Sequence, residues 1–151
     1  MRGYCGIGIM NGKTPENLGT LWRSAYCLGA NFIFTIGRRY KKQSSDTTAT
    51  YRKIPLYHYD DFEDFNKHRP YDCLLVGVEL SDHAKDLTTF IHPERAIYLL
   101  GQEDGSLPPK VLDRCNHIVK FTSKHCLNVA SAGTVILYDR QFKDALQHHR
   151  D

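Results

Sequence analysis

Two stretches leave the fold little freedom. Residues 73–78 (Cys-Leu-Leu-Val-Gly-Val) and 96–100 (Ala-Ile-Tyr-Leu-Leu) are almost wholly apolar. Neither alternates as a half-solvated strand does, and both are short for a buried helix. Such runs mark strands covered on both faces, the situation of a parallel sheet flanked by helices. The other segments fit. Residues 4–10 alternate well enough for a strand. Thr14-Pro15 opens a helical repeat of Leu18, Leu21, Trp22, Ala25 and Leu28, with proline at the first helical position and Gly29 as the stop. Residues 31–36 make the next strand, 54–59 a short one, and 60–68 a short helix with Phe62 and Phe65 inward. Ser81-Asp82 caps a further helix or turn. Residues 110–114 are helical, and 118–121 form the last strand. Strands alternating with helices predict an α/β fold with a mostly parallel sheet and helices on both faces.

The segment after the last strand predicts an abrupt helix start. Asn128 is a good N-cap, because its side-chain oxygen accepts an orphan amide of the first turn. Val129, Ala132, Gly133, Ile136 and Arg140 then recur at helical spacing. Gly133 costs about 1 kcal/mol against alanine inside a helix, which points to close approach by another backbone or a ligand, while the run of small residues from Ala130 to Gly133 equally suits a tightly packed core helix.

A chain of 151 residues suits one domain with a sizeable core. No apolar run approaches the roughly 18 residues of a spanning helix, and the first residues lack the apolar region of a secretory signal, so a cytoplasmic protein is expected. The five cysteines are odd in number and contain no C-x-x-C pair, which reads as reduced, mostly buried thiols. Cys115, His117, His125 and Cys126 match no usual zinc spacing, and no metal is expected. Gly6 and Gly8 lack the third glycine of a dinucleotide fingerprint and lie inside a strand rather than after it.

The net charge of +3 says less than its distribution. Arg38, Arg39, Lys41, Lys42, Arg52 and Lys53 crowd one polar stretch together with Tyr40 and Tyr51, a composition suited to a phosphate backbone. Ligands of parallel sheets bind at the C-terminal ends of the strands, which selects residues 11–17, 101–108 and 122–128. In the first region Gly19 and Arg23 share a helix face. Gly19 clears space there, and Arg23 offers a fork of donors suited to phosphate.

Three segments carry a resemblance. Asn17-Leu-Gly19-Thr-Leu-Trp-Arg23, Gly101-Gln-Glu103-Asp-Gly105-Ser-Leu107-Pro108 and Cys126-Leu127-Asn128-Val129-Ala-Ser-Ala132-Gly133 resemble, in order and spacing, motifs one, two and three of the SpoU (TrmH-like) branch of the SPOUT RNA methyltransferases. The resemblance covers nearly the whole chain. It implies a single domain over residues 1–151, with the C-terminal part threaded into a deep trefoil knot. It implies loops that bind S-adenosyl-L-methionine, a homodimer with the site near its interface, and methylation of a ribose 2′-hydroxyl in RNA, tRNA being favoured over rRNA. Only RNA has that hydroxyl, so DNA and membranes are not expected partners.

By position, the resemblance makes Arg23 the catalytic arginine and Asn17 its supporting partner, with Glu103 and Asn128 completing the catalytic set. Leu100, Gly101, Glu103, Leu107, Cys126, Leu127 and Ala132 fall in the cofactor loops, and Val76 and Phe121 flank the adenine. Arg38, Arg39, Lys41 and Lys42 are the RNA-contact candidates. Two positions depart from the pattern: Ser106 stands where the family usually has glycine, and Cys126 where serine is common. Two alternatives share the fold, namely methylation of a base nitrogen and an inactive RNA-binding module.

Overall fold

The computed structural model describes residues 3–12, 14–37, 53–79, 83–101, 107–125 and 127–150, with residues 149 and 150 described for backbone only. The elements in chain order are β1 (Tyr4–Met10), α1 (Pro15–Cys27), β2 (Phe32–Ile36), β3 (Leu56–Tyr59), α2 (Phe62–His68), β4 (Leu74–Val78), β5 (Lys85–Asp86), β6 (Arg95–Leu100), α3 (Pro109–Leu112), β7 (His117–Lys120) and α4 (Val129–Arg150). The strands form one seven-stranded sheet in the order β3-β2-β1-β6-β4-β7-β5. Every pairing between them is parallel.

The two apolar runs are β4 and β6, which lie side by side in the middle of the sheet. Alternate residues of the central strands enter two separate cores. On one face α1 and α4 cover Cys5, Ile7, Ile9, Val76, Tyr98 and Leu100; on the other α2 and α3 cover Phe32, Phe34, Leu75, Ile97 and Leu99. Gly6 and Gly8 face the second core, where an added Cβ would run into the rings of Phe32 and Phe34. Those glycines make room for aromatic rings, which is the physical reason they lie inside a strand.

Helix ends follow their local chemistry. Pro15 opens α1, and Gly29 (φ +86°) follows its last turn. Asp61 caps α2, accepting the Asp64 amide at 2.8 Å. The structure trims residues 31, 54, 55, 73 and 121 from the expected strands and residues 60, 61, 113 and 114 from the expected helices. Ser81 and Asp82 lie outside the described residues. Beyond them the two-residue β5 runs into a 3-10 turn, Leu87–Thr89, capped by Asp86.

Gly133 follows the reading of a tightly packed core helix rather than that of a ligand contact. A Cβ there would lie 2.5 Å from Leu21 Cδ1, 3.0 Å from Leu100 Cδ1 and 3.2 Å from Ile7 Cδ1. The close neighbours are side chains of α1 and of two strands, so this glycine lets α4 sit tightly on the sheet and on α1. Among the described residues no helix is long and apolar enough to cross a membrane.

Candidate active site

One row of the sheet defines the functional edge. Ile9, Leu100, Val78 and Val119 stand level across β1, β6, β4 and β7. Beyond this row the chain leaves through Asn11, Gly101, Glu79 and Phe121, which brings the segments before α1, after β6 and before α4 to the same end of the sheet.

There the first and third motifs meet. Asn128 Nδ2 donates to Asn17 Oδ1 at 2.8 Å, across 111 positions of sequence. The orientation of the Asn128 amide follows from its other contacts. Its Oδ1 accepts the Ala130 N–H at 2.9 Å and the Ser131 N–H at 3.3 Å, so it is the N-cap of α4. The oxygen being committed to the helix, the amide nitrogen is left to face Asn17, which lies in the first turn of α1. The helices are joined further along: the Thr134 and Ser24 hydroxyls are hydrogen-bonded at 2.9 Å.

Arg23 stands exposed on α1, less than two turns beyond Asn17, and no carboxylate among the described residues pairs with it. Gly19 between them has nothing within 4 Å of where a Cβ would be. Among the described residues, the helix therefore presents an open notch at Gly19 beside an unpaired guanidinium. Such a group suits a phosphate or a developing oxyanion.

The positions expected to hold a cofactor divide. Gly101 and Leu127 sit on the functional edge, with Leu127 40% exposed. Phe121 is half-buried and packs against the α1–α4 core, as does Val78. Leu100 and Ala132 are buried beneath this rim. Val76 is fully buried two residues below the edge, so Val78 rather than Val76 stands at the level where a ligand would meet β4. Glu103 and Cys126 lie outside the described residues, as do Arg38, Arg39, Lys41 and Lys42 and the departure at Ser106.

Two site features were missed in the sequence. Glu79, the residue after β4, accepts the Leu107 N–H on its carboxylate at 2.6 Å and donates its own N–H to Val119 O at 3.0 Å. Its only sequence signal is an acidic residue ending an apolar run. Trp22, next to Arg23, donates its indole N–H to Ile54 O at 3.1 Å. That bond pins the chain to α1 where it returns from the basic stretch. Cys115 is a packing thiol, donating to Val111 O at 3.3 Å and pushed up to about 11 by burial.

A model of the SpoU rRNA methylase family matches residues 6–138. Comparison with curated protein sequences finds no match. Among solved structures, the chain superposes on an AdoMet-bound rRNA methyltransferase from Sinorhizobium meliloti with a TM-score of 0.83 at 22% identity, over 95% of this chain and 57% of that one. A TrmH/SpoU tRNA modifying enzyme from A. aeolicus gives 0.83 at 15% identity, over 95% and 77%. A structure bearing on the 2-OH methylation of C/U34 on tRNA gives 0.78 at 22% identity, over 94% and 98%. At these identities the likeness establishes the fold. The chain spans 57% of the Sinorhizobium protein's length and 60% of that of a SpoU methyltransferase from Streptomyces viridochromogenes. With motif residues Asn17 and Asn128 in contact and the family model covering residues 6–138, the chain belongs to the SpoU rRNA methylase family.

Proposed function

We propose that this chain is an S-adenosyl-L-methionine-dependent RNA methyltransferase acting on a ribose 2′-hydroxyl, with tRNA as its substrate class. The observation that carries this reading is the Asn128–Asn17 hydrogen bond, which joins two distant motif segments beside an uncommitted arginine. The likeness to a structure concerned with 2-OH methylation on tRNA, nearly equal to this chain in length, supports the choice of tRNA.

The edge fits the methyl donor. Gly101 offers backbone without a side chain, while Val78, Phe121 and Leu127 form a partly exposed apolar rim beside it. That combination suits a ligand with an apolar ring system and polar ends. Gly101, Phe121 and Leu127 would hold it, with Leu100 and Ala132 as the floor and Glu103 and Cys126 completing the loops. When bound, S-adenosyl-L-methionine supplies a methyl group already activated on a sulfonium. The chain's task is then orientation of the ribose oxygen and stabilisation of charge on it.

Arg23 does the second. A guanidinium keeps its proton at neutral pH, so Arg23 holds the adjacent phosphate and lowers the energy of the developing alkoxide, while the hydroxyl proton passes to solvent water as the C–O bond forms and the sulfonium C–S bond breaks. Asn17 and Asn128 fix the start of α1, and hence the angle at which Arg23 enters. Ile54, next to Lys53 at the end of the basic stretch, is tied to α1 by the Trp22 bond, which supports Arg38, Arg39, Lys41 and Lys42 as RNA contacts.

We further infer a single domain, a C-terminal trefoil knot and a homodimer. The knot is supported by a strand order in which β6 lies between β1 and β4 while β7 lies beyond β4. The dimer is supported by a second apolar stripe on α4. Val135, Tyr138, Phe142 and Leu146 are 39–59% exposed at helical spacing, on the side away from the sheet.

Arg23→Ala separates binding from transfer. It should leave S-adenosyl-L-methionine affinity within about twofold and lower the methylation rate by about 10²–10³, the usual effect of losing one electrostatic stabiliser. Near-normal methylation of the RNA by this variant would refute the assignment.

A further inference from the structure

The loop between β6 and α3 is held at its two ends by different means. At its start, Leu100 is paired into the sheet with Ile9 and Val78. At its finish lies Leu107, 4% exposed and packed with Val111 in the α2–α3 core. Pro108 and Pro109 follow, and neither has an N–H to give. The Leu107 N–H is thus the last backbone donor before Lys110, and a buried donor needs a partner. The sheet does not supply it: β6 has ended and β7 pairs with β4 and β5.

Glu79 supplies it. Its carboxylate accepts this N–H at 2.6 Å, a short charge-assisted bond. The backbone of Glu79 continues the β4–β7 ladder by one rung through Val119 O. Because β4 lies between β6 and β7, residue 79 stands between the loop that follows each of them. Gly77, one rung below, leaves room for Cys115, whose Sγ would be 2.9 Å from a Cβ there, and Leu107 Cδ1 packs beside it at an ordinary 3.4 Å.

We propose that Glu79 is a positioning residue for the methyl-donor site. It touches no reacting atom. It fixes Leu107, and with it the entry to α3, at the strand end where Gly101 leaves β6. This inference rests on the S-adenosyl-L-methionine reading above.

The test uses the full chain, calorimetric titration with S-adenosyl-L-methionine and steady-state methylation of RNA. Glu79→Ala should weaken S-adenosyl-L-methionine binding about tenfold, as expected for losing a hydrogen bond to a charged group. The loss should appear in KM for S-adenosyl-L-methionine rather than in kcat. Glu79→Gln, with an oxygen in the same place and no charge, should fall between, at about threefold. If the alanine variant does not fold, the glutamine variant decides alone. Wild-type affinity in the folded variants, or a loss confined to kcat, overturns the role of Glu79 and leaves the donor reading intact. A wild-type chain that does not bind S-adenosyl-L-methionine overturns both.

Discussion

Asn128 performs two tasks with two ends of one amide, and substitutions can separate them. The oxygen caps α4 and the nitrogen donates to Asn17. Removing an asparagine cap costs about 1 kcal/mol. A single neutral hydrogen bond contributes about 0.5–1.5 kcal/mol net, and the exposure of Asn128 puts this one at the low end. Asn128→Ala should therefore destabilise by about 1.5–2 kcal/mol, or about 3–8 °C in Tm for a domain of this size. Asn128→Asp keeps a capping oxygen and adds a favourable charge at a helix N-terminus, so Tm should change by less than about 3 °C. It loses the donor, however, and sets an oxygen against Asn17 Oδ1. Asn17 must then turn its amide, and methyl transfer should fall while the fold stands. Thermal denaturation read beside transfer of labelled methyl to RNA makes the comparison. A cycle with Asn17→Ala should give a coupling of about 0.5–1 kcal/mol. Equal Tm losses in the two Asn128 variants would refute the cap argument, and zero coupling would refute the pair.

Two further outcomes are expected. Phe142→Glu or Tyr138→Glu puts charge into the α4 stripe, where the two rings stack with centroids 6.4 Å apart; sedimentation should show the dimer lost and methylation falling with it, whereas a dimer that persists places the interface elsewhere. Stability should also decline on acidification because of His92, whose side chain is 6% exposed between the Tyr98 hydroxyl and the Asp139 carboxylate, both at 2.7 Å. Burial lowers its pKa, Asp139 opposes this, and Lys143 and Arg140 add to it. The unfolded chain then binds the extra proton first, so His92 gives its full contribution above about pH 6.5 and loses it as pH falls below. His92→Gln should flatten Tm against pH in that window, and an unchanged slope would remove His92 as the cause.

The sequence was most readable where burial alone decides. The doubly apolar runs became β4 and β6, Gly29 ended α1, and Asn128 capped α4, because each depends on neighbours a few residues away. β5 was not readable, since Lys85 and Asp86 carry no pattern and are a strand only because β7 offers an edge. The same limit explains Val76 and Val78. Both look apolar, and only the register with Leu100 shows which one reaches the rim. Arg140 makes the point from the other side. It falls on the apolar face of α4, where periodicity places a core residue, and it is indeed buried. What makes a buried guanidinium tolerable lies over forty positions away: the carbonyls of Pro93 and Glu94 and the Tyr98 hydroxyl accept from it at 2.6, 2.8 and 3.0 Å. Glu79 meets Leu107 in the same manner across 28 positions. Periodicity reports that a side chain is inside. Which loop it holds is set by strand order, and for Asn17 and Asn128 only the resemblance to known motifs anticipated the meeting.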